Sequence, residues 1–374
     1  MSDNKQGIET GLNKEVVGIT LPTAFEVYTK QLFGEERYNI FCKGLQQSSS
    51  VSIRLNPFKT SETTQIANSF EPIPIAWCKE GFYLNVRPNF TFDPLFHAGA
   101  YYVQEASSMF LSHVLRHLVR KSVALLDLCA APGGKTTCAR TAISDGSIVF
   151  SNEPINKRAQ ILAENIQKFG HSDVVVTNNY PRDYKKTKLS FDVIVADVPC
   201  SGEGMFRKDP QAISEWSEQN VANCRQLQRS IIADIWDNLK PGGLLIYSTC
   251  TFNAHENEEN VAWILNEYDA QLLEVPTEKT WNITGSLINN SLGEDKPFPV
   301  YRFIPGFTQG EGLFMAIIKK GGTSTNLEPN AEKLVAEANK KLKIMAHGVK
   351  QGIIKGKKII PDHSLALAIN GDRS

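Results

Sequence analysis

Residues 122–137 constrain the fold of this chain more than any other stretch. They read SVALLDLCAAPGGKTT, so an apolar run ends at Asp127, a glycine pair follows, and a helical pattern begins at once. The run has no polar alternation, as in a parallel strand covered on both faces, and Gly133 and Gly134 let the backbone approach a ligand. The stretch predicts a strand, a cofactor loop and a helix at the first strand of a doubly wound α/β sheet.

The kind of cofactor can be narrowed by elimination. Residues 134–136 imitate the end of a phosphate-binding P-loop, but that motif needs a glycine where this chain has Cys129, and the GxGxxG spacing is missing. A second acid, Glu153, follows the next predicted strand at residues 146–152, and acids at these strand ends suit ribose hydroxyls. The pattern favours S-adenosylmethionine, a cationic nucleoside without phosphate. An ordinary glycine turn remains the alternative for the loop taken alone.

Composition and cysteine content indicate a soluble intracellular protein. With 374 residues, 41% of them hydrophobic and 21% charged, the chain is long enough for two or three domains. Residues 1–18 are polar and no apolar run reaches membrane-spanning length, so we expect a cytoplasmic monomer without membrane contact. The seven cysteines include no Cys-x-x-Cys pair, and His113 and His117 lack the glutamate of a metal-binding helix, so we expect neither disulfides nor a metal.

Charge is unevenly distributed, although Lys+Arg and Asp+Glu are both 40. Residues 319–374 carry eleven basic and five acidic side chains, and residues 340–358 contain seven lysines and no acid. Such a segment can contact a polyanion, although a solvated surface is the commoner explanation.

The first 105 residues alternate helix and strand signals and predict a small α/β module with its own core. A central domain is predicted at residues 106–320, followed by a basic tail at residues 321–374. The N-terminal elements are expected as helices at 24–33 and 35–45, a strand at 51–56, a hairpin at 73–86 turning at 79–81, a loop at 89–99 and a helix at 106–119.

In the central domain, predicted strands alternate with helices, which is typical of a parallel sheet. Ligands of such sheets bind at the carboxyl ends of the strands, where Asp127, Glu153, Asp197, Cys200 and Cys250 all fall. If the two late strands are neighbours, Cys200 and Cys250 face each other. The remaining predictions are a helix at 155–169, a mostly helical stretch at 212–239 that stops at residues 241–243, strands at 173–177, 191–197 and 244–248, and a helix from a capping box at 253–256 to about residue 266.

Two cysteines beside a sulfonium cofactor suit methylation of pyrimidine carbon 5. A thiolate adds to carbon 6, which makes carbon 5 enamine-like, and a second group near the adduct assists its breakdown after methyl transfer. Asp197 could hold the ring amino group or donate a proton to ring nitrogen 3. The helix that starts after Cys250 would favour its thiolate.

Several sequence motifs resemble those of the Nop/Sun-type RNA cytosine-5 methyltransferases, most closely the bacterial RsmF-like branch that acts on 16S ribosomal RNA. The resemblance covers roughly residues 20–320. The matching motifs are DLCAAPGGKT at 127–136, DVPCSGEGMFRKD at 197–209, STCT at 248–251, YYVQEASSM at 101–109, RFIP at 302–305 and GEGLFM at 310–315.

The resemblance implies a Rossmann-like class I methyltransferase sheet with an N-terminal RNA-binding-type module, and structured RNA, ribosomal RNA or the small ribosomal subunit, as partner. It implies that Cys250 is the attacking thiolate and that Cys200 assists product release. The Thr-Cys word favours Cys250, since the cysteine of DNA cytosine-5 enzymes follows proline, as Cys200 does here. The implied cofactor site comprises Cys129, Ala130, Ala131, Pro132, Gly133, Gly134, Lys135, Glu153 and Asp197.

The chain departs from the family pattern in two places. Tyr180 stands where the family has an acid near the cofactor adenine, and nearby Asp183 could compensate. Residues 352–369 look like the start of the branch's C-terminal RNA-binding domain, which we expect to be incomplete. Two alternatives therefore remain, a catalytically weakened RNA- or ribosome-binding relative and an amino-group methyltransferase, although the latter typically has an Asn/Asp-Pro-Pro-aromatic word at residues 197–200.

Overall fold

A computed structural model describes residues 19–60, 72–288, 298–323 and 328–348 of the chain. The described residues form two β-sheets with helices packed around them. None of the described helices has the length and apolar character needed to cross a membrane. The strands are β1 Val51–Leu55, β2 Ile73–Ile75, β3 Cys78–Leu84, β4 Tyr101–Val103, β5 Ala124–Asp127, β6 Ile148–Asn152, β7 Val174–Thr177, β8 Phe191–Asp197, β9 Leu239–Thr249, β10 Ala270–Leu273, β11 Tyr301–Phe303, β12 Leu313–Lys320 and β13 Ile344–His347. The helices are α1 Thr23–Phe33, α2 Glu35–Leu45, α3 Pro94–His97, α4 Phe110–Leu118, α5 Gly134–Ala142, α6 Asn156–Phe169, α7 Pro181–Tyr184, α8 Pro210–Glu215, α9 Glu218–Ile235, α10 Glu258–Glu267 and α11 Ala331–Ala338.

The larger sheet has the strand order β10-β12-β9-β8-β5-β6-β7-β13, and β11 pairs with β12. Its centre is parallel, with β5 between β6 and β8, whereas β12 and β13 are antiparallel to their neighbours. The order reverses at β5, which makes the space beyond the end of this strand the topological switch point where ligands bind. The predicted doubly wound α/β sheet is therefore confirmed, as is the predicted pairing of the two late strands.

Both faces of this sheet are covered by apolar side chains. Leu125, Val149, Val193 and Ile246 lie in one buried cluster, and their sequence neighbours Leu126, Phe150, Ile194 and Leu245 lie in another. Because consecutive residues of a strand point to opposite faces, burial on both sides explains why the sequence shows continuous apolar runs instead of alternation.

The N-terminal residues do not share one core, contrary to the prediction. The second sheet, with strand order β2-β3-β1-β4, has its own apolar cluster around Ile53 and Phe82. Helices α1 and α2 instead pack with Phe206, Phe252 and other residues that follow β8 and β9. The aromatic residues of α1 and α2 pack against Phe206 and Phe252. Sequence periodicity shows that one face of a helix is apolar, but it does not show which residues cover that face.

Two local predictions in the N-terminal residues were wrong. The hairpin turns between Ile75 and Cys78 instead of at residues 79–81, and residues 89–99 contain α3 and a short 3-10 turn. The prediction that residues 212–239 are mostly helical is confirmed: they contain most of α8, all of α9, which Ser217 caps, and a 3-10 turn at Trp236–Asn238.

Three further boundaries differ from the sequence reading. Residues 241–243 lie inside β9 rather than stopping a helix. The predicted capping box is half formed: the Asn253 side chain accepts from the Glu256 amide, but the Asn253 amide donates to Glu203 instead of Glu256. The helix that follows begins only at Glu258.

Part of the predicted tail extends the larger sheet. Strand β13 pairs with β7, and the Lys343 carbonyl accepts a hydrogen bond from the Asn178 amide. The sheet therefore ends at His347, beyond the boundary predicted at residue 320. Helix α11 also lies in the predicted tail, whereas residues 349–374, with the predicted domain start at 352–369, lie outside the described residues.

Candidate active site

A cavity of about 360 Å³ lies at the carboxyl ends of β5, β8 and β9. The strand register places these ends side by side, with Asp127 opposite Val195 and Asp197 opposite Ser248. The predicted cofactor loop and both predicted catalytic cysteines therefore border one space. Its lining comprises Tyr102, Val103, Gln104, Glu105, Ser108, Cys129, Ala130, Ala131, Pro132, Gly134, Lys135, Asp197, Val198, Cys200, Gly204, Met205, Lys208, Cys250, Glu311, Gly312 and Leu313.

The sulfur atoms of Cys200 and Cys250 lie 3.3 Å apart. The two strands that carry them are parallel neighbours, so each cysteine follows its strand end at nearly the same height. The hydrogen bond to Cys250 and burial both raise the pKa of Cys200 well above its usual value. The raised pKa keeps the Cys200 thiol protonated, and the 3.3 Å distance allows a hydrogen bond between the two sulfurs.

Two buried glutamates cross-link the loops that carry these cysteines. We call residues 198–206 the Cys200 loop and residues 250–257 the Cys250 loop. Glu203 of the Cys200 loop accepts hydrogen bonds from the backbone amides of Phe252 and Asn253 at 2.6 and 3.0 Å. Glu256 of the Cys250 loop accepts one from the Ser201 amide at 3.0 Å. The thiol spacing is thus fixed by bonds in both directions between the loops.

The Asp197 carboxylate lies at the edge of the same cavity and both of its oxygens have partners. Lys135 Nζ is 2.8 Å from Oδ2, and Ser248 Oγ donates to Oδ1 at 2.7 Å. The carboxylate of Asp197 also raises the pKa of Lys135 against the opposing effect of burial. The pair joins the cofactor loop to the end of β8, so Lys135 is held as a cation beside the cysteines.

The cofactor loop has the features that a nucleoside cofactor requires. Gly133 has a φ of 115°, which disfavours a side chain, and the loop is held by Asn152, which donates to the Leu128 carbonyl at 3.0 Å. Asp127 is fully buried, and its Oδ1 has no hydrogen-bond partner among the described residues. Burial raises the pKa of Asp127 to about 7. Asp127 is not part of the cavity lining, but its unpartnered acceptor at this strand end could bind a polar ligand that reaches behind the loop.

Glu153 lies at the end of β6, where the sequence predicted it, but it is buried and does not border the cavity. Its Oε1 accepts from the Ile155 amide, and its Oε2 lies 3.5 Å from Arg158. Arg158 also donates to the Ala131 carbonyl at 3.2 Å. The arginine thus bridges the acid and the cofactor loop, which a sequence reading does not reveal.

Tyr180, which stands where the family has an acid, and the nearby Asp183 both lie outside the cavity lining. Tyr180 is 54% exposed at the start of α7. Asp183 accepts from the Tyr180 amide at 3.1 Å and from Lys186 at 2.6 Å. The latter bond lowers the pKa of Asp183. The carboxylate of Asp183 is therefore committed to its own helix.

The sequence reading missed the second wall of the cavity. Tyr102 and Glu105 come from the N-terminal residues, Lys208 from the Cys200 loop side, and Glu311 from the loop before β12. All four lie within sequence motifs that resemble those of the family, and this resemblance is the signal that could have identified them. Nothing in their local spacing predicts that they meet, because the chain segments involved are far apart in sequence.

Comparison with known proteins agrees with this geometry. Residues 117–319 match the family model described as 16S rRNA methyltransferase RsmB/F, and residues 21–106 match the N-terminal domain of 16S rRNA methyltransferase RsmF. Ribosomal RNA small subunit methyltransferase F of Pectobacterium atrosepticum is 35% identical over 76% of this chain and 59% of that protein. The enzyme of the same name from Escherichia coli is 34% identical over 76% of this chain and 60% of its own. The chain thus spans about three fifths of the length of these relatives.

Solved structures share the fold. A methyltransferase homologue from Pyrococcus horikoshii, 26% identical, has a TM-score of 0.69 over 81% of this chain and 96% of its own. NSun6 from the same organism, solved with SFG, an analogue of S-adenosylmethionine, is 20% identical with a TM-score of 0.67 over 81% of this chain and 99% of its own.

The family and the fold support S-adenosylmethionine as the cofactor, as predicted from the sequence. By its matches over both the N-terminal and the central residues, the chain belongs to the RsmB/F family of 16S ribosomal RNA methyltransferases.

Proposed function

We propose that this protein is an S-adenosylmethionine-dependent RNA cytosine-5 methyltransferase that acts on 16S ribosomal RNA in the cytoplasm. The observation that carries the proposal is the 3.3 Å contact between Cys200 and Cys250 beside the cofactor loop. Carbon 5 of cytosine is unreactive until carbon 6 carries a nucleophile, so two adjacent thiols suit this reaction better than methylation of an amino group.

The cofactor site is formed by the loop from Cys129 to Lys135, with Asp127 and Glu153 at the adjoining strand ends. Asp127 Oδ1 offers a buried acceptor, and the Glu153 carboxylate can reach a ribose hydroxyl if Arg158 yields to it. Ala130, Ala131, Pro132, Gly133 and Gly134 supply a wall with little side-chain bulk. Tyr180 would lie on the adenine side. When bound, S-adenosylmethionine would supply an electrophilic methyl group.

Cys250 is the residue that we assign to attack. Its thiolate forms a bond to carbon 6 of the cytosine, and the electron pair of the 5,6 double bond then becomes available at carbon 5 for the methyl group. Because the pKa of Cys200 is raised, Cys200 keeps its proton and hydrogen-bonds the Cys250 sulfur. The resemblance of residues 248–251 to the family motif supports this assignment.

Product release needs a base and a departing thiolate. Cys200, whose sulfur lies 3.3 Å from that of Cys250, passes its proton to the departing Cys250 sulfur, and the Cys200 thiolate that remains accepts the carbon 5 proton. The electron pair of the carbon 5–hydrogen bond forms the 5,6 double bond again, and the bond from carbon 6 to Cys250 breaks. Asp197, held by Lys135 and Ser248, can bind the ring amino group or pass to nitrogen 3, during attack, a proton that it receives from the Lys135 ammonium.

The RNA would reach this site as an extruded base, since the thiols lie in a cavity that a stacked base cannot enter. We propose that the N-terminal residues 1–105, the central residues 106–320 and the basic residues 321–374 form three parts with different roles. The first and last would contact phosphates, and the central residues would carry out chemistry.

Two experiments test the function. Bisulfite sequencing of 16S ribosomal RNA from cells with and without the gene should reveal one or more cytosines whose methylation depends on it. With purified protein, Cys250→Ala should abolish methyl transfer, whereas Cys200→Ala should accumulate a covalent protein–RNA adduct, visible as a band of reduced mobility. Unchanged turnover of the Cys250 variant would refute the assignment.

The binding-protein alternative rests on the exposed Tyr180 in place of an acid. Isothermal titration calorimetry with S-adenosylmethionine separates the two functions, because a protein that only binds RNA would show little or no heat of cofactor binding.

A further inference from the structure

Glu311 is a buried carboxylate in the cavity wall that the proposed mechanism does not use. Its side chain is 5% exposed, and it follows Gly310 in the loop before β12. Arg207 Nε donates to Oε2 at 2.7 Å, but Oε1 has no hydrogen-bond partner among the described residues. The nearest cation to Oε1 is Lys208, whose Nζ lies 3.8 Å away and which borders the same cavity.

The position of this carboxylate is tightly determined. A side chain on Gly310 would meet Ser107 Oγ at 2.2 Å, and one on Gly312 would meet the ring of Phe252 at 2.5 Å. The Glu311 amide donates to Glu105 Oε1 at 3.0 Å. Arg207 also donates to the Gly310 carbonyl at 2.7 Å, so the guanidinium fixes both the backbone and the carboxylate.

Glu311 also lies close to the reacting cysteines. A side chain on Gly204 would lie 2.5 Å from the Cys250 carbonyl oxygen and 3.2 Å from that of Glu311, so the backbones of all three residues converge. A base attached to Cys250 would thus have the Glu311 loop as a neighbour. A buried acceptor without a donor is costly unless a ligand supplies one.

Asp197 differs in this respect, because both of its oxygens already accept hydrogen bonds from Ser248 and Lys135. Both oxygens of Glu105, the third carboxylate of the lining, accept from backbone amides, so Glu311 is the one of the three with an oxygen left without a partner among the described residues. A donor from the substrate is therefore better accommodated by Glu311 than by Asp197.

Building on the proposed function, we propose that Glu311 Oε1 accepts a hydrogen bond from the 4-amino group of the target cytosine and makes the enzyme select cytosine over uracil. Uracil carries an oxygen at this position and would face the carboxylate with repulsion and no donor. Asp197 is then left to act at nitrogen 3. Sites built to hydrogen-bond one substrate group reject analogues without it by factors of roughly 10⁴ or more.

A chemical double-mutant cycle tests this role. The substrates are synthetic RNA oligonucleotides that span the cytosine identified by bisulfite sequencing, with cytosine, uracil or 2-pyrimidinone at that position. The last base lacks any group at carbon 4. Single-turnover methyl-transfer rates are measured for the wild type, Glu311→Gln and Asp197→Asn, and thermal unfolding checks that each variant is folded.

The ratio of the rate on cytosine to the rate on 2-pyrimidinone should fall at least tenfold in Glu311→Gln, while Asp197→Asn lowers both rates and leaves the ratio unchanged. In Glu311→Gln, Arg207 donates to the amide oxygen, so the amide NH₂ faces the base. The rate on uracil relative to that on cytosine should therefore also rise in this variant. A ratio equal to that of the wild type in Glu311→Gln, or one altered only in Asp197→Asn, would overturn the proposal and leave the proposed function intact. A folded wild type that methylates none of these oligonucleotides would overturn both.

Discussion

Glu203 and Glu256 each stabilise the loop that carries the other. Glu203 follows Cys200 but accepts hydrogen bonds from the Phe252 and Asn253 amides, and Glu256 follows Cys250 but accepts from the Ser201 amide. The Asn253 side-chain amide donates to both carboxylates, at 2.8 and 2.9 Å. The distance between the two thiols therefore depends on a pair of buried acids that do not themselves react.

Replacement of Glu203 should weaken this connection. Its two oxygens accept from the Phe252 and Asn253 amides, the Asn253 side chain and Trp216 Nε1, so the NH₂ group of Glu203→Gln would face donors. We expect a loss of about 2 kcal/mol in the free energy of unfolding by urea denaturation, because buried donors lose their acceptor. Glu215→Gln, at an exposed position, is the matched control and should change it by less than about 0.5 kcal/mol. Equal stability of both variants would contradict the role of Glu203.

Glu256 should make stability depend on pH. Burial, followed by the nearby charge of Glu203, raises its pKa from 4.5 to about 7. Between these values the folded protein keeps a proton that the unfolded chain has lost, so the stabilisation is complete below pH 4.5 and is lost as pH rises through 7. The decrease in unfolding free energy from pH 5 to 7.5 should be smaller in Glu256→Gln by on the order of 2 kcal/mol. Urea denaturation at the two pH values measures it, and identical pH dependence in both proteins would exclude this contribution.

Gly204 should be required for the position of Cys250. An added methyl group would lie 2.5 Å from the Cys250 carbonyl oxygen and 3.2 Å from its Cβ, so Gly204→Ala must displace the nucleophile. We expect methyl transfer to fall by at least about tenfold, since small misplacements of reacting groups are costly. Gly285→Ala is the control, because no atom lies within 4 Å of its added methyl group. Similar single-turnover rates in both variants would show that Cys250 tolerates the shift.

Tyr180→Asp should strengthen cofactor binding if Tyr180 lies on the adenine side of the site. Tyr180 is 54% exposed and precedes α7, where an aspartate is also a favourable helix cap, so the fold should tolerate the change. A hydrogen bond from the adenine or ribose to the new carboxylate would raise affinity by roughly tenfold. Calorimetric titration with S-adenosylmethionine provides the value, and Tyr180→Asn separates charge from hydrogen bonding. An unchanged affinity would mean that the acid is dispensable in this chain.

The sequence determined the central sheet and the carboxyl-end placement of Asp127, Asp197, Cys200 and Cys250. Continuous apolar runs specify strands buried on both faces, and the chain leaves each strand at the same edge, so these residues had to meet. These patterns involve residues that are close together along the chain, so they can be recognised from the sequence alone.

Only the tertiary structure decided how the cavity is closed and how the thiols are spaced. The packing of α1 and α2 on Phe252, the reciprocal bonds of Glu203 and Glu256, and the unpartnered oxygen of Glu311 all join segments that are distant along the chain. Side-chain partners across such distances depend on how the chain folds back on itself, and no spacing in the sequence encodes them.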